Sequence, residues 1–194
     1  HLFIESARHA FADRYHYMAD PDFVEVPLRG LLSKKYAREI SRQISMDEAS
    51  TSLYVDDAPW NYFAEHSVHD PWIYENGIRP NNLLTGSSNG EGDCTTHFGV
   101  VDGQGNLVSC TQTAVSSFGS KVVTDGLGIL WNNGMIWFNP KPGFSNSIAP
   151  WKRPLVNAAP LLVTKDGRGY LSVGSPGGRK VNNANTNITV NVLD

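Results

Sequence analysis

The strongest constraint on this chain is an abrupt change of pattern at Thr95. The segment before it, Thr85-Gly86-Ser87-Ser88-Asn89-Gly90-Glu91-Gly92-Asp93-Cys94, is polar, glycine-rich and without apolar periodicity. Such a segment has nothing to bury, and it reads as exposed and mobile. At Thr95 the pattern switches to strand alternation, Thr95-Thr96-His97-Phe98-Gly99-Val100-Val101. Asp102-Gly103-Gln104-Gly105-Asn106 is a hairpin turn, and Leu107 to Val115 is the returning strand.

Residues 1–44 read as helical. Phe3, Ala7, Phe11, Tyr15 and Met18 form one apolar stripe. Asp20-Pro21-Asp22 ends that helix. Leu32, Tyr36, Ile40 and Ile44 form a second stripe, with Ser33 as its cap. Residues 45–94 are polar, and Trp60, Tyr62, Phe63, Trp72 and Tyr74 imply that their middle packs on something. Past the first hairpin, strands are expected over 119–124 and 127–133, followed by a Pro- and Gly-rich connection over 139–154. Pro160–Thr164 and Tyr170–Gly174 make another hairpin around Lys165-Asp166-Gly167-Arg168-Gly169. Gly174-Ser175-Pro176-Gly177-Gly178 then opens a helix running towards Asp194. Helices, antiparallel strands and a final helix predict a layered α+β domain.

The 194 residues are 40% hydrophobic, which is globular composition with enough chain for a core. A formal charge of −3 without a long basic run speaks against a nucleic-acid partner. No apolar stretch reaches the length of a membrane span. Two cysteines, Cys94 and Cys110, are too few for a disulfide framework or a metal site. No metal-binding or nucleotide-binding motif is present, so no cofactor is expected. The apolar patterns at both ends read as an excerpt of a longer protein, and no compartment is inferred.

A threonine hydroxyl is a poor nucleophile unless a base sits beside it. If the chain is cut before Thr95, the new α-amine can be that base, because its pKa lies near ~8. Gly177 and Gly178, just before a helix, can aim backbone N–H groups at one point and stabilise an oxyanion. Taken singly, each feature has a plain alternative: Thr95 and Thr96 as β-branched strand residues, and the glycines as an ordinary turn capping a helix.

Taken in order, these segments resemble the γ-glutamyltranspeptidase family. Phe3-Ile4-Glu5-Ser6-Ala7-Arg8-His9-Ala10-Phe11-Ala12-Asp13-Arg14 and Asp20-Pro21-Asp22-Phe23-Val24 resemble the end of that family's large subunit. Thr95-Thr96-His97-Phe98-Gly99-Val100-Val101-Asp102 is similar to the start of its small subunit. Phe118-Gly119-Ser120, Gly128-Ile129-Leu130-Trp131-Asn132-Asn133, Lys152-Arg153-Pro154-Leu155 and Gly174-Ser175-Pro176-Gly177-Gly178 continue the match. The resemblance implies an αββα N-terminal-nucleophile hydrolase sandwich made from a precursor that cuts itself between Cys94 and Thr95. Residues 1–94 would then be the C-terminal part of the large subunit and 95–194 the N-terminal part of the small subunit. It implies Thr95 as nucleophile, Thr113 as the threonine supporting it, and Gly177 and Gly178 as the oxyanion hole. The partners it implies are a small-molecule amide substrate and the remaining parts of both subunits.

The sequence departs from the family where a glutamyl donor is gripped. Val115 stands where the family has an asparagine for the donor amine, and Trp137 stands in place of an acid. Val156 and Asn157 replace two serines that hold the donor carboxylate. An ammonium and a carboxylate placed against Val115, Trp137 and Val156 would be left unpaired. The connection from Asn139 to Trp151 is also short for the family. The first reading is therefore an amidohydrolase or acyltransferase with a non-glutamyl donor. A true γ-glutamyl hydrolase or transferase using other residues is an alternative, and a non-catalytic member is another. Cys94 is a poor alternative nucleophile, because it precedes the strand and has no evident base.

Overall fold

A computed structural model describes residues 1–49, 70–75 and 94–194. The readings of Trp60, Tyr62, Phe63 and the glycine-rich run up to Asp93 lie outside the described residues. The chain forms two compact units, His1–Asn89 with Trp137–Leu155, and Gly90–Ile136 with Val156–Asp194.

In the first unit, α1 (Leu2–Tyr17) is the expected helix, and it stops at Tyr17, where Met18 turns extended. Its buried face differs from the predicted stripe. Phe11 and Tyr15 are buried, but Phe3 and Ala7 are only half-buried, and Glu5, His9 and Asp13 at i, i+4 and i+8 are buried instead. Partners make this tolerable. Arg8 bonds Glu5 at 2.9 Å, and Tyr36 Oη donates to Asp13 at 2.9 Å. Burial, and then the Asp13 carboxylate, push the Tyr36 phenol well above its ordinary range.

Two shorter helices follow, α2 (Leu28–Leu31) and α3 (Lys34–Ser41). Ser33 caps α3 as expected, its Oγ accepting from Lys35 N at 3.2 Å. The second stripe is weaker than its spacing implied. Tyr36 is buried, whereas Leu32 is 74% exposed. Gly30 is required sterically, since a Cβ there would lie 2.0 Å from the Pro71 carbonyl oxygen. Tyr74, in the 3-10 turn Pro71–Tyr74, packs its ring against that of Tyr36 in a tilted pair, centroids 5.8 Å apart.

The segment Trp137–Leu155 belongs to this unit too. Asn146 is buried and donates to the Trp137 carbonyl at 2.8 Å. Arg153 bonds Asp20 through its backbone N–H at 2.7 Å and its guanidinium at 2.6 Å. Lys152 sits over the Phe23 ring, and burial draws its ammonium below the ordinary value.

The second unit is built on two antiparallel hairpins. β1 (Cys94–Val101) pairs with β2 (Leu107–Val115), and β3 (Leu161–Lys165) pairs with β4 (Arg168–Val173). The Asp102 carboxylate closes the first turn by accepting from Gln104 N and Asn106 N, each at 2.9 Å. Those bonds, above all the one from the Asn106 side chain, lower its pKa. The second turn is tighter than expected. Asp166 and Gly167 both have positive φ, 52° and 75°, as a two-residue type I′ turn requires. The hairpins are joined where Ser109 Oγ donates to Val173 O at 3.0 Å and Ser172 Oγ to Val108 O at 3.2 Å.

The strands expected over 119–124 and 127–133 are absent. One antiparallel bridge, Val123 to Leu130, remains. Positive φ at Phe118, Gly119, Lys121, Gly126 and Gly128 breaks the extended backbone on both sides of it. The closing helix α4 (Val181–Leu193) starts after a 3-10 turn at Gly178–Lys180. The class is α+β.

Candidate active site

β1 and β2 put Thr95 directly opposite Thr113. Cross-strand neighbours share a face, so the two hydroxyls meet, with Thr95 Oγ1 donating to Thr113 Oγ1 at 3.0 Å. Val115 N also donates to Thr113 Oγ1, at 2.8 Å. The ladder shifts register between Cys94 and Thr95, so the pairing changes at the bond preceding Thr95. One pair further along the same face, His97 Nδ1 meets Thr111 Oγ1 at 2.9 Å.

β4 delivers the glycine segment to this face. A Cβ on Gly174 would lie 2.1 Å from the His97 ring, so only glycine lets the imidazole seat there. His97 is two residues from Thr95, roughly 7 Å along a strand. Ser175 Oγ donates to Asn185 Oδ1 at 2.9 Å, and Asn185 Nδ2 to Ala159 O at 2.8 Å. Asn185 is 1% exposed, so these bonds tie the segment to the inner face of α4. Gly177 has φ 134° and Gly178 has φ 55°. The Gly177 carbonyl accepts from Lys180 N at 3.0 Å, whereas neither glycine N–H has an acceptor among the described residues.

The residues expected to meet the donor belong to both units. Val115 is 2% exposed, with φ 76°. Val156 is exposed and Asn157 half-buried, both in the second unit. Trp137 is half-buried and ends a 3-10 turn, in the first unit. Cys94 opens β1 as the register partner of Val115. An open pocket of about 480 Å³ lies over the threonine pair, lined by Thr95, Gln112, Thr113, Ala114, Leu130 and Asn132. Sequence reasoning missed Leu130 and Asn132 as pocket residues, because the loop that brings them was read as strand. It also missed Asn185, a buried polar residue in a helix, whose only signal was polarity on an otherwise apolar face. Among the described residues no cluster of three or more His, Cys, Asp or Glu is placed to hold a metal. No described helix is long and apolar enough to cross a membrane.

The family described as Gamma-glutamyltranspeptidase matches residues 1–194. The chain is 36% identical over 203 residues to the glutathione hydrolase proenzyme of Escherichia coli (strain K12), covering 100% of this chain and 30% of that protein. It is 36% identical over 194 residues to the Acylase ACY 1 proenzyme of Pseudomonas sp. (strain V22), covering 100% of this chain and 29% of that protein. The chain thus spans less than a third of the curated relatives it matches. The crystal structure of cephalosporin acylase from Bacillus halodurans shares the fold, with a TM-score of 0.66 and 24% identity over 99% of this chain and 29% of that one. By the family match over its whole length, and by these relatives, the chain belongs to the gamma-glutamyltranspeptidase family.

Proposed function

We propose that this chain carries the reaction centre of a self-cleaving amide hydrolase or acyltransferase in which Thr95 is the nucleophile. The observation that carries the proposal is the Thr95–Thr113 hydroxyl pair at 3.0 Å, set at the start of a strand. In the uncut chain the nitrogen of Thr95 is an amide and has no basicity to lend. Attack of the Thr95 hydroxyl on the Cys94 carbonyl moves the acyl group from nitrogen to oxygen. Water then splits the ester and leaves a free α-amine on Thr95. With a pKa near ~8, that amine takes the hydroxyl proton as Thr95 attacks a substrate amide. The Thr113 hydroxyl orients that of Thr95, and the free N–H groups of Gly177 and Gly178 receive the tetrahedral oxyanion. Collapse expels the amine and leaves an acyl ester on Thr95, which water or an acceptor amine resolves.

In this reading residues 1–94 close the large subunit and 95–194 open the small one. With the rest of both subunits they form an αββα sandwich around a small-molecule amide. The donor is an acyl group other than γ-glutamyl. Val115, Trp137 and Val156 offer an ammonium no partner, and Asn157 is the one polar side chain of the set. A γ-glutamyl donor is the second reading, supported by the glutathione hydrolase named among the relatives; the acylase at equal identity supports the first. Intact mass and N-terminal sequencing of the full-length protein test the nucleophile. A new N-terminus at Thr95, absent in Thr95→Ala, is expected. A terminus elsewhere, or none, overturns the reading.

A further inference from the structure

The Thr113 hydroxyl helps Thr95 only while it is held in one orientation. One of its contacts is the Val115 N–H at 2.8 Å. That N–H belongs to the peptide unit between Ala114 and Val115, whose other end, the Ala114 carbonyl, accepts from Asn133 N at 3.2 Å. Val115 has φ 76°, the left-handed region that a β-branched residue strongly disfavours. Relaxing φ at Val115 to a negative value, with the compensating rotation at Ala114, flips this peptide. It is the movement that interconverts type I and type II turns. The flip would turn the N–H away from Thr113 and the carbonyl away from Asn133. The unfavourable φ and the aim of the N–H are therefore one coordinate.

Asn133 also grips the residue beyond the peptide. Its Oδ1 accepts from Ser116 N at 3.1 Å, and its Nδ2 donates to Ser116 Oγ at 2.7 Å. It therefore brackets Val115, with its main chain on Ala114 and its side chain on Ser116.

We propose that Asn133 is a positioning residue for the Thr95–Thr113 pair, holding the Ala114–Val115 peptide flipped so that Val115 N–H stays on Thr113 Oγ1. The inference rests on Thr95 being the nucleophile. Among the described residues Asn133 makes no hydrogen bond to either threonine, so it acts through the backbone of Val115. Glycine adopts positive φ without the steric penalty that valine carries, so at position 115 the peptide has less need of the grip.

The test is a double-mutant cycle in the full-length mature protein with the best anilide donor. Asn133→Ala is expected to lower kcat by about 10- to 100-fold, the scale of a small misplacement at the reacting centre, with KM changed less than about threefold. Asn133→Asp still accepts from Ser116 N and takes a bond from the Ser116 hydroxyl, so it should restore most of the loss. In a Val115→Gly background, Asn133→Ala should change kcat by less than about threefold relative to Val115→Gly alone. An equal fall in both backgrounds, or no fall in either, overturns the proposal. A merely structural asparagine would lower the melting temperature in both backgrounds without this rescue of kcat. If Asn133→Ala cannot be purified folded, Ser116→Ala removes the 2.7 Å bond from Asn133 together with the 3.3 Å bond from Ser116 Oγ to Gly119 O but leaves the Ser116 N–H on Asn133 Oδ1, and its smaller loss should likewise vanish in Val115→Gly. Full activity in Thr95→Ala would remove the nucleophile reading itself. An inactive Thr95→Ala beside an unaffected Asn133→Ala removes only this inference.

Discussion

Asp20 and Arg153 lie 133 residues apart in sequence, and the carboxylate of one takes both the backbone N–H and the guanidinium of the other, at 2.7 and 2.6 Å. The Asp20 side chain has no exposed surface, and Asp22 bonds the same guanidinium from the solvent side. The guanidinium bonds first, and the Arg153 backbone N–H second, hold the Asp20 carboxyl well below the ordinary carboxylate range.

A depressed carboxylate pKa contributes stability above its unfolded value, near about 4, and loses it as pH falls through the lowered value. Asp20→Asn should therefore melt lower than wild type at pH 7, by on the order of 5 °C. The gap should narrow steadily below about pH 4. Thermal unfolding at a series of pH values measures it, and a gap independent of pH would mean that Asp20 titrates alike in both states.

At the threonine pair, Thr113→Ala should lower kcat by about a hundredfold, and Thr113→Ser, which keeps the hydroxyl, by less than about tenfold. Steady-state rates on the best anilide, made with protein whose scission has been verified by mass, give the comparison. Equal losses in the two variants would show that the threonine methyl group matters and the hydroxyl does not.

Gly177 has open space around its Cα, the nearest atom to a built Cβ being Lys180 Cβ at 3.8 Å. Its φ of 134° is what excludes a side chain. Gly177→Ala and Gly177→Val should therefore lose rate alike, by about 10²- to 10³-fold, because both move the N–H. A harmless alanine beside a damaging valine would mean that side-chain size, and not backbone conformation, is limiting.

The proposed donor preference is tested by γ-glutamyl-p-nitroanilide against glutaryl-p-nitroanilide, which differ only in the α-amino group. If Val115, Trp137 and Val156 meet the donor as proposed, an ammonium set against them gives up water and receives nothing back. The glutaryl compound should have the higher kcat/KM. A tenfold preference the other way, about 1.4 kcal/mol, would reveal an amine site outside these residues.

Much of this was legible in the sequence, where local pattern decides. The Ser33 cap and both hairpins follow from turn residues and strand alternation, whereas Thr113 is singled out only by the family resemblance. What escaped depends on partners distant in sequence. Glu5 and Asp13 spoil the apolar stripe of α1, and their burial makes sense only once Arg8 and Tyr36 reach them. Residues 119–133 alternate like strands, yet positive φ at five positions from Phe118 to Gly128 leaves a looped segment. The roles of Asn133 and Asn185 follow from the carbonyls and hydroxyls that the fold sets beside them, which an asparagine in a sequence does not announce.

The first compact unit draws His1–Asn89 from one side of Thr95 and Trp137–Leu155 from the other. A cut at Thr95 would leave that unit standing while changing the molecularity of its formation. In the uncut chain the meeting of Asp20 with Arg153 is a loop closure, whose effective concentration is set by the connecting chain. After the cut the same meeting is a second-order encounter between two polypeptides. Uncut protein diluted from denaturant would refold at a rate independent of concentration, and cut protein would refold more slowly with each dilution. The mature form would then persist through the slowness of its unfolding, having given up the connection that first made its folding fast.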